Sequence, residues 1–231
     1  MIGFTRLPVA LGCAALAVAT GFGTHHVLGK SPQGSVASVA FTSLSESYSS
    51  TTPVDWASTA DHVAEVTAVS EARGRTEGGS VERLVTMRVD SIRWSRDGAP
   101  SLPDIFEMNS FGWIHTEAGL AEVVPPDAPR IEPGHHYLVG LIHLDPRCNA
   151  DDGVVVNGGW NIIGSGGAIP YDNGDIGYGE VEGHAKATAD GDPGSMLEAA
   201  ENAPNAADVV ALVDDSTAQE RPEQPGVREG C

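Results

Sequence analysis

The sequence predicts a mostly β fold, a small OB-like barrel with one short helix before it and two short helices after it. Three observations predict this. Between residues 60 and 181, five or six short runs rich in Val, Ile, Thr and aromatic residues follow one another, with turn residues between them. Apolar positions in these runs repeat with period two, whereas residues 206–215 carry Val209, Leu212 and Val213 at helical spacing. One run changes parity halfway along, which requires the kind of β-bulge that bends strands into barrels.

Taken in order, the first thirty residues form an export segment. Arg6 is the only charged side chain before Lys30, and residues 7–23 (LPVALGCAALAVATGFG) carry no charge. A cleaved signal peptide needs a basic start, a short apolar run and a small-x-small cut site, which Arg6, residues 7–16 and Ala17-Val18-Ala19 supply. A membrane tether through residues 7–28 needs about 20 apolar residues and reaches that length only with Thr24–Leu28 included. Both readings stand, and both place the main domain outside the cytoplasm, secreted or membrane-anchored. Cys13 is read as a small apolar residue of this segment, because the run before it is too short for lipoprotein export.

Residues 31–52 hold eight serines and three threonines with a single charge, Glu46, and read as a flexible spacer. The domain proper is expected at 53–215. Thr52-Pro53 is an N-cap followed by proline at the first helical position, opening a short helix to about Thr59.

Strand one is ADHVAEVTAVSEA (60–72), and residues 73–80 form a turn region. Strand two is VERLVTMRVDSIRWS (81–95). Val85, Met87 and Val89 share one face there and Ile92 and Trp94 the other, so a bulge is expected near Asp90-Ser91. Strand three spans 104–113. Strand four, HYLVGLIHL (136–144), is apolar on both faces and is expected at the centre. Residues 160–163 and 168–171 make an interrupted fifth strand. Asp172-Asn173-Gly174-Asp175 is a hairpin turn of type I′ signature, with a return strand over 176–181. Ser195 with Glu198 is a capping box opening a helix to about Glu201. A second helix covers 206–215, and 216–231 is a polar tail.

These strands carry a resemblance. The segments ADHVAEVTAVSEA, VERLVTMRVDSIRWS and PRIEPGHHYLVGLIHL, with an x-Pro-Gly-x-x-Tyr-Leu strand, are similar to the netrin-like barrels of the OB class. Those barrels include tissue inhibitors of metalloproteinases. The layout resembles more closely exported actinobacterial proteins in which a Gly-rich Trp strand and a C-terminal helix follow. The resemblance spans residues 55–215 and implies the barrel fold. Netrin-like inhibitors chelate a protease zinc through an N-terminal cysteine. No cysteine starts the barrel here, so that mechanism does not carry over.

The chain has 32 acidic and 13 basic residues, a net charge of −19. Nucleic acid is excluded as a partner, because phosphate binding requires Lys and Arg to displace counterions. The charge is lopsided: residues 1–100 carry 9 acids and 8 bases, residues 101–231 carry 23 and 5. Six arginines between Arg73 and Arg96 make the first hairpin mildly basic.

Two cysteines remain beyond the export segment, Cys148 and Cys231. An even pair in an oxidising compartment reads as a disulfide. It would close a loop of roughly 80 residues, nominally worth about 4 kcal/mol.

Chemistry-bearing patterns are sparse. His135 and His143 lie roughly 26 Å apart along a strand and cannot share one metal ion; His135 and His136 read as a turn-exposed pair. The loop Asp145, Asn149, Asp151, Asp152 is oxygen-rich but lacks the order of a calcium loop. Asp172 and Asp175 read as turn residues. Ile163-Gly164-Ser165-Gly166-Gly167 is not a nucleophile elbow, and its glycines suit close strand packing. No catalytic residue, metal or cofactor is assigned. The expectation is a non-enzymatic exported module that binds an extracellular protein or cell-envelope ligand. The alternative is an exported hydrolase or protease-inhibitor-like protein with a site assembled from dispersed residues.

Overall fold

The computed structural model describes residues 36–41, 48–148, 155–156, 158–186 and 192–221. Thr52 opens α1 (Pro53–Thr59) as a full capping box. Its hydroxyl accepts from Asp55 N–H at 3.2 Å, and the Asp55 carboxylate accepts from Thr52 N–H at 2.8 Å. Burial alone would raise the Asp55 carboxyl; hydrogen bonds from the turn outweigh it and hold it below its ordinary value.

The barrel follows as β2 (His62–Glu77), β3 (Ser80–Ser95), β4 (Ile105–Thr116), β5 (Gly119–Val124) and β6 (His136–Leu144). Along a later stretch β9 (Gly159–Ile162) and β10 (Ala168–Pro170) both pair with β6, beside Leu141–Leu144 and Tyr137–Val139 respectively. With β1 (Val36–Phe41) on the far edge, the sheet order is β1-β5-β4-β3-β2-β6-β10. Two small ladders stand apart: β7 (Arg147–Cys148) with β8 (Val155–Val156), and β11 (Gly179–Val181) with β12 (His184–Lys186). A three-strand meander (β2, β3, β4) with the next long strand laid beside its first member is the order of a partly open barrel. The sheet curls so that β9 returns to within 8 Å of β4, Cα to Cα. The fold is therefore mostly β and barrel-like, with helices where they were expected.

β6 shows why the sheet needs two apolar faces. Tyr137, Val139 and Leu141 point into the curl, against Val66, Met87, Phe106 and Trp160. Leu138 and Ile142 point the other way, against Trp56, Ile163 and Ile169. That second face is covered by α1, α2 (Met196–Asn202) and α3 (Ala206–Asp214), through Met196, Val209 and Val213. Trp56 is fully buried there, and its indole N–H donates to Ser50 O at 2.7 Å.

The bulge falls where parity demanded it. Glu65 opposes Ser91 and Val66 opposes Val89, so Asp90 is the extra residue. Gly166 and Gly167 serve close packing, since a Cβ at either would lie within 3 Å of Ser50 O or Ile162 and Ile163.

Several expectations are corrected. The turn region at 73–80 shrinks to Gly78-Gly79, because the backbone ladder of β2 and β3 runs to Glu77 and Ser80. β5 was not anticipated. The stretch read as a spacer supplies β1, which pairs parallel to β5, and Tyr48 and Ser50 are buried. Asn173 and Gly174 both take the left-handed φ of a type I′ turn (58° and 81°), but the strand after them pairs with β12 rather than returning on β10. On α3 it is Val210, not Leu212, that joins Val209 and Val213; Leu212 is 42% exposed. The polar tail is tied down as far as Arg221: Gln219 N–H donates to Ser58 Oγ at 2.8 Å, and Arg221 reaches the buried Asp61 at 2.5 Å. Beside this pair, burial and the Arg221 charge lower the Arg96 pKa.

Among the described residues no helix is long and apolar enough to cross a membrane. The export segment, the membrane tether at 7–28 and Cys231 lie outside the described residues, as do Asn149, Asp151 and Asp152 of the acidic loop.

Candidate functional site

The helix layer covers one face of β2, β6 and β10 only as far as Val63, Leu138 and Ile169. The next residues on that face are polar: Glu65 and Thr67 on β2, and His136 on β6. Where the apolar cover ends, a cleft of about 520 Å³ opens, lined by Glu65, Asp90, His135, His136, Tyr171 and Asp172. That volume lies within the usual span of small-ligand pockets.

Each side chain has a specific reason to be there. The β3 bulge turns Asp90 toward Thr67, whose hydroxyl donates to Asp90 Oδ2 at 2.5 Å, and Arg88 Nε donates to Oδ1 at 2.9 Å. Glu65 accepts from Ser91 Oγ and from Arg93 Nε, each at 2.9 Å. Burial first, then the charge of the nearby Glu65 carboxylate, raises the Tyr171 pKa. Asp172 sits at the head of the Asn173-Gly174 turn and reaches across to the start of β6. Its Oδ2 lies 2.6 Å from His135 Nδ1, and its Oδ1 accepts from His136 N–H at 2.8 Å. Burial opposes ionisation of Asp172, but these bonds and the neighbouring His135 outweigh it and hold the carboxyl below its ordinary range.

Chemically, the cleft presents three carboxylates, each hydrogen-bonded to an arginine or a histidine, with two imidazoles, an aromatic ring and a bare glycine turn. The hydroxyls of Thr67 and Ser91 are each engaged with a carboxylate.

A second polar cluster lies inside the other end of the curl. Arg83 and Arg130 are essentially unexposed, as are Glu180 and Tyr137. Arg83 donates to Glu71 at 2.5 Å and to the carbonyls of Arg130 and Ile131 at 2.8 and 2.9 Å. Arg130 bonds Glu132 and the carbonyls of Val123 and Gly112, and its guanidinium stacks 5.3 Å from the Trp113 ring centre. Glu180 accepts from the N–H groups of Arg130 and Ile131 at 3.0 Å and from Tyr137 Oη at 2.7 Å. Burial and the Glu180 charge push the Tyr137 hydroxyl far above its ordinary pKa. The cluster pins the 130–132 segment, where Ile131 holds a φ of 67°, a costly value for a β-branched residue. Its two guanidiniums are matched to carboxylates and carbonyls, which makes it a structural clamp, while the buried Trp113 indole N–H beside it has no hydrogen-bond partner.

Of the residues singled out in the sequence, His135, His136 and Asp172 come together. His143 does not join them: its ring packs edge-on against Trp160 at 5.2 Å, and its N–H donates to Asp61. Glu65, Asp90 and Tyr171 were missed as site residues. The only advance signal was the bulge at Asp90. Among the described residues no group of three or more His, Cys, Asp or Glu is placed to hold a metal ion. Cys148 lies on β7, and the Cys148–Cys231 pair extends outside the described residues. The hairpin arginines do not form a free basic surface. Arg75, Arg83, Arg88 and Arg93 each pair with an acid, and Arg73 lies 5.1 Å from the Trp113 ring centre.

Compared with known proteins, the chain matches no family model, no curated protein and no solved structure.

Proposed function

We propose that this protein is an exported, non-enzymatic binding module of the netrin-like type, and that it takes an extracellular or cell-envelope ligand in the cleft at Glu65, Asp90, His135 and Asp172. The observation that carries the reading is the state of the cleft's polar groups. Carboxylates hold the hydroxyls of Thr67 and Ser91, and Asp172 fixes both His135 and the start of β6. Groups locked in this way are pre-oriented for recognition, because little side-chain freedom is lost on binding. The apolar segment after Arg6 supports export.

Two measurements test the reading. A reporter active only in the cytoplasm should be silent when fused after Gly134. The full chain should sediment with washed cell envelopes, and Asp172→Asn should weaken that association while leaving the thermal melt cooperative. Strong cytoplasmic signal would end the export reading. Unchanged association of the variant would remove the cleft from the function.

One observation favours a second reading. His135 and Asp172, 2.6 Å apart, form the pair that orients a general base in hydrolases. Ester or peptide hydrolysis abolished by His135→Gln would establish the enzyme in place of the binder.

A further inference from the structure

We infer that the cleft's ligand is a neutral, polyhydroxylated ring, a saccharide unit of an envelope or extracellular polymer; this rests on the reading of the cleft as a binding site. The argument is one of charge and hydrogen-bond capacity. Three carboxylates line the cleft, which disfavours an anion. Yet each already has a compensating partner: Arg93 for Glu65, Arg88 for Asp90, His135 with the His136 N–H for Asp172. A cationic ligand gains less there, because Arg93 and Arg88 already pair with Glu65 and Asp90.

A neutral polyol meets no such conflict. Each carboxylate oxygen accepts more than one hydrogen bond, so sugar hydroxyls can donate without evicting anyone. The imidazoles of His135 and His136 line the cleft beside these carboxylates, a polar mixture that a hydroxyl, both donor and acceptor, satisfies best. The apolar face of a sugar ring also needs a flat surface. Tyr171 supplies one, half-buried in the cleft wall beside Glu65. Exposed Asn173 and Gly174, and Gly134 opposite, leave backbone approachable on either side. An apolar ligand, by contrast, would leave these polar groups desolvated and unpaired.

The test is a titration of the full chain, followed through the backbone amides of Gly134, His136 and Gly174 by NMR. Three probe sets are used: neutral tetrasaccharides (chitotetraose, cellotetraose, maltotetraose), tetralysine, and trigalacturonate. The expected result is that at least one neutral oligosaccharide shifts these amides, with an affinity that about 0.5 M salt leaves unchanged because no net charge is neutralised. Tyr171→Ala should weaken it about five- to ten-fold, the loss of one aromatic stack, while Tyr171→Phe keeps most of it. The Phe variant guards against a turn that fails to form without the ring. Salt-sensitive binding of tetralysine or trigalacturonate alone would overturn the saccharide assignment and leave the cleft as a binding site. Oligosaccharide binding that moves other amides, or no shift with any neutral probe, would also overturn it. The cleft reading itself then stands or falls separately, on the envelope association of Asp172→Asn.

Discussion

Leu141→Ala and Ile142→Ala test whether β6 is buried on both faces. The residues are neighbours in sequence and point to opposite sides of the sheet. Leu141 is 0% exposed in the curl and Ile142 is 2% exposed beneath the helices. Each change removes three buried carbons, worth about 2.4 kcal/mol at about 0.8 kcal/mol per carbon. The cavity left behind brings the cost of each to about 3–5 kcal/mol. Both sites are enclosed by other elements, β9 on one side of the strand and β2 on the other, so neither can collapse cheaply. Leu212→Ala is the internal control, since its side chain is largely in water and the change should stay within about 0.5 kcal/mol. Urea melts of the three single variants with a shared m-value decide the matter. If either β6 change cost less than about 1 kcal/mol, the two-faced packing described for this strand would be wrong.

Three further outcomes are expected. Arg83→Ala should cost about 3–5 kcal/mol in the same melts, because Glu71 and the carbonyls of Arg130 and Ile131 lose a buried cation; a loss under about 1 kcal/mol would contradict the clamp. Asp172→Asn should remove a stabilisation that is present above the ordinary Asp pKa of about 3.9 and fades as pH falls through the lower folded value. Melts from neutral pH into acid should therefore show the gap to wild type closing only at the acid end, and a constant gap would refute the depressed pKa. Non-reducing peptide mapping should recover Cys148 bonded to Cys231, and two separately alkylated thiols in fresh, unreduced protein would refute the bond. Chain reach supports it: Asp61 holds both Arg221 and the N–H of His143, ten residues before Cys231 and five before Cys148.

What could be read from the sequence followed the range of the forces involved. Local signals sufficed for α1, where Thr52, Pro53 and Asp55 write the cap within four residues, and for β6, whose apolar run has the observed ends. The bulge at Asp90 was legible because side-chain alternation admits no parity change without an extra residue. β1 and β5 escaped for the opposite reason. Their pairing is made by backbone groups, and residues 36–41 have no side-chain pattern that sets them apart from a Ser-rich linker. The cleft was half legible. His135 and His136 drew notice as neighbours, whereas the partners that give them a setting lie 37 residues away at Asp172, and Glu65 and Tyr171 lie farther apart still. Arg83 and Arg130 were illegible as core, since charged side chains are buried only when partners meet them from elsewhere in the chain.

The tie between Arg221 and Asp61 has a consequence for how the molecule comes into being. Asp61 sits at the junction of α1 and β2, among the first residues of the barrel, and is 3% exposed. Its cation lies 160 positions later. During synthesis, the opening residues of the barrel emerge long before the arginine that neutralises their buried carboxylate. β6, the strand that both flanks β2 and donates the His143 N–H to Asp61, also arrives late. The early part of the chain therefore has no finished native state of its own to settle into. Closure of the fold waits for its far end, so the last-made part of the chain completes the first-made part of the barrel.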